Sequence, residues 1–278
     1  MISKLVVIAG SGTYPEMIVK GAKRAGVSRV DVVAVKGSTS RATCAAADNV
    51  YRISIGEIAS AIRDVGARGY DGLVLAGQIN PLSLFRGRFD EATKEALKSL
   101  PVKNAHSIFT KLIEMFEEAG CRVLPASLYM DPCIPGEGVL TKRSPTPEEQ
   151  SDINHAMAVA ADMGVHDVGQ TVVVKSGMVL AVEAFEGTNA AIKRAGKLGG
   201  RGGVIFKAAR SGHDMRFDIP VIGLKTLKVM KRAGVSALAF QASRLIMLDR
   251  EKVLSFADKN SIALVGIDSG LPPAPTRV

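Results

Sequence analysis

Basic and acidic side chains crowd one short stretch of this sequence, FKAARSGHDMRFDIP. Lys207 lies in an apolar run, and Asp214, Arg216 and Asp218 follow it, the last three at alternate positions. In an extended segment alternate side chains point the same way, so we expect two carboxylates to flank one guanidinium. Carboxylates hold a divalent cation or orient a water, while Lys and Arg neutralise phosphate oxygens. The alternative is an exposed strand with a salt-bridge ladder, in which each pair contributes roughly 0–1 kcal/mol.

The stretch EAFEGT, residues 183–188, is a second polar cluster, and it precedes the helical pattern NAAIKRAGKL. Thr188 is expected to cap that helix. Glu183 lies on a strand of otherwise apolar character, where a carboxylate costs free energy unless it is paired or ligates a metal. The candidate metal ligands are therefore Asp218, Asp214 and Glu183. The candidate binding residues of this stretch are Glu186, Gly187 and Thr188.

Three further loops adjoin predicted strands. GSGTYP leads from a strand into a helix, where backbone amides cradle phosphate, although such turns also serve tight strand-to-helix geometry. GQINP follows a later strand, at the sheet end where ligands bind in open α/β folds, and its amides suit a uracil or ribose; a simple polar turn is the alternative. DVGQTVVV enters a hairpin, where polar residues are often only solvated. The candidate substrate-binding residues of these loops are Gly10, Ser11, Gly12, Thr13, Gln78, Ile79, Asn80, Gln170 and Thr171.

The elements that must position the first two of these loops alternate between strand and helix. The apolar runs KLVVIAG, RVDVVAVKG, DGLVLAGQIN and CRVLPAS predict strands, with amphipathic helical segments between them. Helices are also predicted around residues 89–100 and 104–120. This order is typical of a parallel sheet with helical crossovers, so residues 1–130 are predicted to form a Rossmann-like parallel α/β domain.

The second half of the chain has a different pattern. A segment rich in proline and glycine, residues 131–147, predicts a linker, and Thr146 and Pro147 predict the start of a helix. Ser176 and Gly177 separate two β-rich runs and predict an antiparallel hairpin. Residues 148–268 are thus predicted to form a mixed α/β domain, followed by a mobile tail at 269–278. Its later predicted elements are strands at 203–207, 237–240, 244–248 and 262–265, and helices at 226–233 and from residue 251.

Composition restricts the possible functions. The 278 residues carry 36 Lys and Arg against 27 Asp and Glu, a net charge of +9 that favours an anionic partner. The three cysteines form no CxxC pair, so neither a zinc site nor a disulfide framework is predicted. Pro15 replaces the third glycine of the dinucleotide fingerprint, and Lys36 lies where a ribose-binding acid would be expected. No apolar run is long enough to span a membrane, so any membrane contact is predicted to be peripheral.

Taken together, the motifs GSGTYP, GQIN, DVGQTVVV, EAFEGT and DMRFDIPVIG resemble those of the LpxI-type UDP-2,3-diacylglucosamine pyrophosphatases of lipid A synthesis. The resemblance covers both halves of the chain. Relatives often read EGTD where this chain has Asn189, so residue 189 is not included among the predicted metal ligands.

The resemblance implies a magnesium-dependent hydrolase that cleaves the pyrophosphate of UDP-2,3-diacylglucosamine to UMP and 2,3-diacylglucosamine 1-phosphate, called lipid X. It implies work in the cytoplasm, at the cytoplasmic face of the inner membrane, in peripheral contact with its lipid and with no nucleic-acid partner. A homodimer is expected from the size of the enzyme. Two rival functions stay open: a nucleotide-sugar oxidoreductase or transferase, and a lipid-binding module of the membrane surface.

The distribution of candidate residues predicts a division of roles. The first domain has phosphate-type loops with few acidic residues near them, so it is expected to grip the uridine nucleotide. The second domain holds the candidate catalytic residues Lys207, Asp214, Arg216 and Asp218, and is expected to supply the metal and the charges. The proline-rich linker would let the two close over the pyrophosphate and exclude bulk water.

Asp218 is the candidate whose loss is expected to matter most. Asp218→Ala should fold normally and lose turnover by about 10²-fold or more, because the variant lacks a metal ligand or the group that positions water. Circular dichroism checks the fold, and release of UMP from the lipid nucleotide measures turnover. Near-normal turnover would remove Asp218 from the mechanism.

Overall fold

The computed structural model describes residues 2–78, 90–98, 100, 105–166, 168–209, 214–217, 219–268, 270 and 275. The chain divides into two compact units, each described here by itself. The first comprises Met1–Met130, Met215–Asp218 and Pro275–Val278, and the second comprises Asp131–Asp214 and Ile219–Ala274. A short piece from the second half of the sequence therefore belongs to the first unit.

The first unit is built on a parallel sheet, as predicted. Its strands are β1 (Lys4–Ala9), β2 (Arg29–Val35), β3 (Val50–Ile53) and β4 (Gly72–Ala76), in the order β3-β2-β1-β4. Its helices are α1 (Tyr14–Arg24), α2 (Arg41–Ala46), α3 (Ile58–Gly66), α4 (Glu91–Lys98) and α5 (Ala105–Glu118). The central strand β1 is buried on both faces, which is why its sequence is a continuous apolar run rather than an alternating one.

Two details of the first unit differ from the predictions. The run CRVLPAS does not form a strand; it makes a single parallel bridge, between Leu73 and Val123. Both β3 and α2 lacked a sequence signal. The strand β3 has only four residues, all partly or fully exposed, so no buried apolar run marks it.

The second unit contains a mixed six-stranded sheet. Its strands are β5 (Gly138–Val139), β6 (Thr171–Lys175), β7 (Met178–Val182), β8 (Val204–Lys207), β10 (Ala237–Gln241) and β12 (Ala263–Ile267), in the order β5-β12-β10-β8-β6-β7. The strands β8, β10 and β12 are parallel, and the other pairings are antiparallel. The short strands β9 (Val221–Ile222) and β11 (Ile246–Met247) form a separate parallel pair. The mixed α/β prediction is confirmed.

The helices of this unit are α6 (Pro147–Val165), α7 (Thr188–Gly199), α8 (Leu224–Ala233) and α9 (Arg250–Lys259). The predicted start of α6 is confirmed, because Thr146 caps the helix and exchanges hydrogen bonds with Glu149 in a capping box. The segment 131–147, predicted as a linker, contributes β5 to the sheet.

The hairpin of β6 and β7 follows the prediction closely. Ser176 and Gly177 both adopt positive φ, at 50° and 75°, as a two-residue hairpin turn with matching twist requires. The Asp152 carboxylate accepts hydrogen bonds from both of their N–H groups, each at 2.7 Å. At the open end of the hairpin, opposite this turn, the Glu183 N–H donates to the Thr171 carbonyl at 2.8 Å. The turn pairs Lys175 with Met178, and a register shift between Val173 and Val174 then brings Thr171 opposite Glu183 at the open end.

A buried carboxylate organises the amino-terminal end of the first unit's sheet. Asp31 of β2 has no exposed surface and accepts hydrogen bonds from Arg29 at 2.8 Å, Asn49 at 3.0 Å and Tyr70 at 2.7 Å. Burial raises the pKa of Asp31, but the hydrogen bonds from its three partners outweigh burial and hold the pKa below its usual range. Burial raises the pKa of Tyr70, and the hydrogen bond to Asp31 is the second largest cause.

Replacement of Asp31 is expected to destabilise the first unit. Asp31→Asn keeps the shape but loses the charge that pairs with Arg29, so we expect about 1–3 kcal/mol lower stability in urea unfolding at neutral pH. Because the folded-state pKa is lowered, the stabilisation is present above the unfolded-state pKa of about 3.9 and is lost as the pH falls through the folded-state value. The difference between the two proteins should therefore shrink below about pH 4. Asp64→Asn, on the exposed face of α3, is the matched control; equal effects of the two substitutions would contradict the role of Asp31.

Candidate functional site

A cluster of polar side chains lies at the open end of the β6–β7 hairpin. Thr171 is the first residue of β6 and pairs directly with Lys207, the last residue of β8, because these strands are antiparallel. Glu183 follows β7, and Thr188 begins α7. The ends of three strands and the start of one helix thus bring together four residues that the sequence analysis selected from three motifs.

The Lys207 ammonium is the centre of this cluster. Its Nζ lies 2.8 Å from Thr188 Oγ1, 3.3 Å from Thr171 Oγ1 and 3.8 Å from Glu183 Oε2. Thr188 Oγ1 in turn lies 3.0 Å from each carboxylate oxygen of Glu183. The Thr188 hydroxyl accepts from the ammonium and donates to the carboxylate, which fixes the order Lys207, Thr188, Glu183 along a hydrogen-bonded chain.

Burial makes this arrangement electrostatically strong. The side chains of Lys207 and Glu183 are only 4% and 12% exposed, and Thr171 is fully buried. A buried charge without a partner is very costly, so Lys207 depends on Glu183 and the two hydroxyls. Weak solvent screening also means that the ammonium acts strongly on an anionic group placed beside it. The cluster is suited to stabilising negative charge, such as that of a phosphate.

The predicted capping role of Thr188 is wrong. Gly187 is the N-cap residue of α7, with φ at 79° and no side-chain cap, and Thr188 is the first helical residue. An N-cap residue must have non-helical backbone angles, and glycine reaches positive φ without strain. The Thr188 hydroxyl is thereby left to bind Glu183 and Lys207 instead of the helix backbone.

The neighbouring candidates Glu186 and Gln170 have other contacts. Glu186 accepts a hydrogen bond from Ala184 N at 3.2 Å and pairs with Arg194, whose hydrogen bond holds the pKa of Glu186 below its usual range. The Gln170 carbonyl accepts from Ala208 N at 3.0 Å, which extends the β6–β8 ladder by one bond beyond Thr171. Their predicted roles in substrate binding stay predictions.

The segment DMRFDIP does not form the predicted extended ladder. Met215 and Arg216 form a turn, so the alternation of an extended strand does not hold. Arg216 pairs with Glu117 at 2.6 Å, and Phe217 stacks on Phe109 at 5.6 Å between ring centroids, within the core of the first unit. The sequence pattern missed this, because the anchoring residues lie on α5, about a hundred positions earlier in the chain. Asp214 belongs to the second unit, and Asp218 lies outside the described residues.

The carboxylates of the described residues bear on the predicted magnesium site. Among the described residues, no three His, Cys, Asp or Glu side chains lie together in a group that could hold a metal ion. Glu183 already contacts Thr188 and Lys207, so its charge is largely balanced. Magnesium usually takes one or two carboxylates with waters and substrate phosphates, rather than an all-protein cage. Among the described residues one carboxylate, that of Glu183, is in contact with the Lys207 cluster, which is within the one or two that magnesium uses. The ligand roles of Glu183, Asp214 and Asp218 stay predictions.

In the first unit, the two predicted loops do come together. Ser11 and Gln78 form an antiparallel bridge, with Ser11 N to Gln78 O at 2.8 Å and the reverse bond at 3.2 Å. A side chain at Gly10 would approach Gln78 O to 2.6 Å, and one at Gly77 would approach Ser11 O to 2.6 Å. Glycine is therefore required at both positions by the close approach of the two backbones.

The bridge between Ser11 and Gln78 determines which polar groups of the two loops are left to bind a ligand. The hydroxyl and N–H of Ser11 both bind the Gln78 carbonyl, so neither is directed outward. In the described part of the chain, the N–H groups of Gly12 and Thr13 make no hydrogen bond, and they lie at the start of α1. They are the better phosphate-binding candidates. Ile79 and Asn80 lie outside the described residues.

Two further polar residues of the second unit were not among the candidate site residues: Asn189, which the sequence analysis left out of the predicted metal ligands, and Arg244, which it missed. The Asn189 Oδ1 atom, beside Thr188 in α7, is buried and has no hydrogen-bond partner among the described residues. Arg244, in the loop after β10, is only 5% exposed, and burial lowers its pKa. The position of Arg244 shortly after a predicted strand could have identified it, because ligands bind beyond the carboxyl ends of the strands in parallel α/β sheets.

Comparison with known proteins identifies the family of this two-unit α/β chain. The family model of the LpxI N-terminal domain matches residues 4–133, and that of the LpxI C-terminal domain matches residues 136–265. The UDP-2,3-diacylglucosamine pyrophosphatase LpxI of Caulobacter vibrioides is 33% identical over 227 residues, which cover 78% of this chain and 81% of that protein. The chain belongs to the LpxI family.

Solved structures show weaker similarity. The biotin carboxylase subunit of pyruvate carboxylase is 16% identical with a TM-score of 0.27, over 62% of this chain and 35% of that one. N5-carboxyaminoimidazole ribonucleotide synthetase, in an ADP complex, is 15% identical with a TM-score of 0.28, over 71% of this chain and 45% of that one. The chain thus spans less than half of either structure, and similarity at this level indicates neither a shared fold nor a shared ligand.

The pairing of Lys207 with Glu183 is expected to be strongly coupled. Lys207→Met leaves the Glu183 carboxylate without its cation, so we expect a loss of about 3–5 kcal/mol in the free energy of unfolding. In the double variant Lys207→Met/Glu183→Gln, no charge is left unpaired, and part of that loss should be recovered. Urea unfolding of the single and double variants measures the coupling, with Lys193→Met on the exposed face of α7 as control. Additive effects of the two substitutions would mean that the pair does not interact.

Proposed function

We propose that this protein hydrolyses the pyrophosphate linkage of UDP-2,3-diacylglucosamine, with UMP and 2,3-diacylglucosamine 1-phosphate as products. Membership of the LpxI family supports the substrate class, because the Caulobacter vibrioides relative is named for that pyrophosphatase. The observation that carries the proposal is the buried Lys207 ammonium, which two threonine hydroxyls and one carboxylate hold at the end of the sheet. A fixed cation of this kind suits a dianionic diphosphate.

In the proposed reaction, water adds to one phosphorus while the bridging P–O bond breaks. One proton of the water passes to the solvent and the other stays with the new phosphate, while negative charge accumulates on the phosphate oxygens and on the leaving phosphate. Lys207 is proposed to neutralise that charge as it develops, with Thr171 and Thr188 keeping its Nζ in place. Asp214 and Asp218 are the proposed carboxylates that position the water, and Arg216 is a further proposed cation.

Magnesium is the proposed cofactor. When bound, it would polarise a phosphoryl oxygen and neutralise part of the diphosphate charge. Asp214, Asp218 and Glu183 are the carboxylates proposed to hold it, and such a site would leave positions for substrate oxygens and waters. Because Glu183 also balances Lys207, removing this carboxylate is expected to affect both the cation and the metal.

The first unit is proposed to bind the uridine nucleotide. Support comes from the meeting of two glycine loops at the carboxyl ends of β1 and β4, which is where parallel α/β sheets bind nucleotides. The N–H groups of Gly12 and Thr13 at the start of α1 suit a phosphate oxygen. Gln78 is proposed to contact the uracil or ribose together with Asn80.

The lipid character of the proposed substrate supports a location at a membrane. No helix within the described residues has the length and apolar character to cross one. We propose peripheral contact with the cytoplasmic face of the inner membrane, towards which the net charge of +9 would attract the protein. Homodimer formation is a further proposal, and the mass in solution decides it.

The test of the proposed function is incubation of the protein with UDP-2,3-diacylglucosamine in detergent micelles with magnesium. Mass spectrometry should find UMP and the diacylglucosamine 1-phosphate in equal amounts, and neither in the presence of a chelator. Lipid binding without release of UMP would favour a lipid-binding module, and micromolar binding of NAD(H) or NADP(H) would favour an oxidoreductase.

Thr188 offers a conservative test of the hydrogen-bonded chain. Thr188→Val keeps the branched shape but removes the hydroxyl between Lys207 and Glu183, so we expect kcat to fall by about 10- to 100-fold through misplacement of the ammonium. Thr188→Ser retains the hydroxyl and should keep most of the activity. If the Val and Ser variants released UMP equally fast, the hydroxyl would have no part in positioning Lys207.

A further inference from the structure

A short turn from the second half of the sequence is part of the first unit. The chain enters this unit at Met215 and leaves it after Asp218. Within the turn, Phe217 is only 4% exposed and stacks on Phe109 in the core of the first unit. Buried aromatic side chains contribute large contact areas to a core, so Phe217 holds the turn to the first unit. We call residues 215–217 the anchored turn.

A backbone hydrogen bond fixes the anchored turn at a second point. The Met215 carbonyl accepts from the Ala126 N–H at 2.8 Å, and Ala126 is buried. A buried backbone N–H needs a partner, and that of Ala126 finds it in this turn rather than in a neighbouring strand. The ion pair of Arg216 with Glu117 is partly exposed on both sides and adds little to the attachment. Phe217 and the Met215 carbonyl are therefore two firm points of attachment.

Ala126 also contacts the start of α1. Tyr14, the first residue of that helix, is buried, and its hydroxyl donates a hydrogen bond to the Ala126 carbonyl. Directly before Tyr14 lie Gly12 and Thr13, whose N–H groups are the better phosphate-binding candidates of this unit. Ala126 therefore accepts a hydrogen bond from the start of α1 and donates one to the anchored turn, and so it joins the phosphate-type loop to the charged segment.

The residues around the anchored turn carry much of the proposed chemistry. Asp214 precedes the turn, Arg216 lies within it and Asp218 follows it. Consecutive Cα atoms are only about 3.8 Å apart, so fixing Met215 and Phe217 also limits where the chain before and after them can run. A displacement of about 1 Å is enough to slow a positioned reaction by about 10²-fold. Loss of the attachment is therefore expected to lower turnover.

We propose that Tyr14 and Phe217 are positioning residues for the proposed hydrolysis, on which this inference rests. Phe217 fixes the anchored turn, and the Tyr14 hydroxyl links that turn, through Ala126, to the loop proposed to bind a phosphate of the nucleotide. Both side chains are buried and engaged within the first unit, so they act through the residues that they hold. The first unit, besides binding the nucleotide, thereby places the charged segment.

Hydrogen exchange of the ligand-free, full-length protein tests whether these two side chains hold the anchored turn. Tyr14→Phe removes only the hydroxyl, and Phe217→Leu removes the aromatic ring but keeps an apolar side chain. In each variant we expect the peptide that spans residues 208–220 to exchange about tenfold faster or more, because the turn opens more easily. Exchange of this peptide at the wild-type rate in either variant would overturn the role of that residue.

Tyr70→Phe and Phe116→Leu are the matched controls. Tyr70 also donates its hydroxyl to a buried acceptor, Asp31, at 2.7 Å, and Phe116 is as buried as Phe217 in the same core. Both substitutions should lower the midpoint of urea unfolding, while the peptide that spans the turn exchanges as in the wild type. If the controls loosened the turn as much as the two variants do, Tyr14 and Phe217 would be ordinary core residues and the proposal would be wrong.

Release of UMP from UDP-2,3-diacylglucosamine in detergent micelles with magnesium tests the consequence for the reaction. Tyr14→Phe and Phe217→Leu should each lower kcat about tenfold or more, with KM changed less than about threefold, because the charged segment is misplaced while the nucleotide loop is intact. The two controls should keep the wild-type kcat.

The outcomes separate this inference from the proposed function. An active wild type with unchanged kcat in both variants would overturn the positioning role alone. A wild type that releases no UMP would refute the proposed function and the positioning role with it, while the exchange experiment still decides whether Tyr14 and Phe217 anchor the turn.

Discussion

The ammonium group of Lys207 places the strictest demand on the second unit, because a buried charge must be paired and hydrogen-bonded to persist. Its partners Thr171, Thr188 and Glu183 come from a strand start, a helix start and a strand end. No single element contains all four residues, so the cluster forms only when β6, β7 and β8 pair in this register and α7 begins at Thr188. Any shift of β6 against β8 by one residue would turn Thr171 to the other face of the sheet.

The Lys207 cluster depends on several local features of the backbone. The turn at Ser176 and Gly177 and the register shift between Val173 and Val174 together set the pairing of the hairpin. Gly187 precedes α7 at a positive φ that leaves Thr188 inside the helix. Gly169 lets the loop before β6 lie against Glu183, where a side chain would collide with its carbonyl. Glycine at these places is thus a condition for the cluster, through geometry rather than through chemistry of its own.

The two units use charge differently. Asp31 in the first unit is a buried carboxylate near the amino-terminal end of β2, with three hydrogen-bond donors from the same unit, and its role is stability. The loops at the carboxyl ends of β1 and β4 carry no such network, and their backbones bind one another through Ser11 and Gln78. In the second unit, Lys207 lies at a strand's carboxyl end, where parallel strands direct their ligands. The stabilising charge of the first unit therefore lies near the amino-terminal end of a strand, whereas the candidate functional charge of the second unit lies at the carboxyl end of one.

The sequence by itself determined the class of both sheets, the hairpin turn, the start of α6 and the four residues of the polar cluster, because periodicity, turn residues and capping residues are local signals. It also selected Glu183 as a carboxylate that needed a partner, but it left the choice between pairing and metal ligation open. Only the tertiary structure identified that partner as Lys207, showed that Thr188 bridges the two rather than capping α7, and placed Arg216 against Glu117 instead of in an extended ladder. These outcomes depend on contacts between residues far apart in the chain, such as β6 with β8 or Arg216 with α5, and local sequence patterns carry no information about which distant elements will pack together.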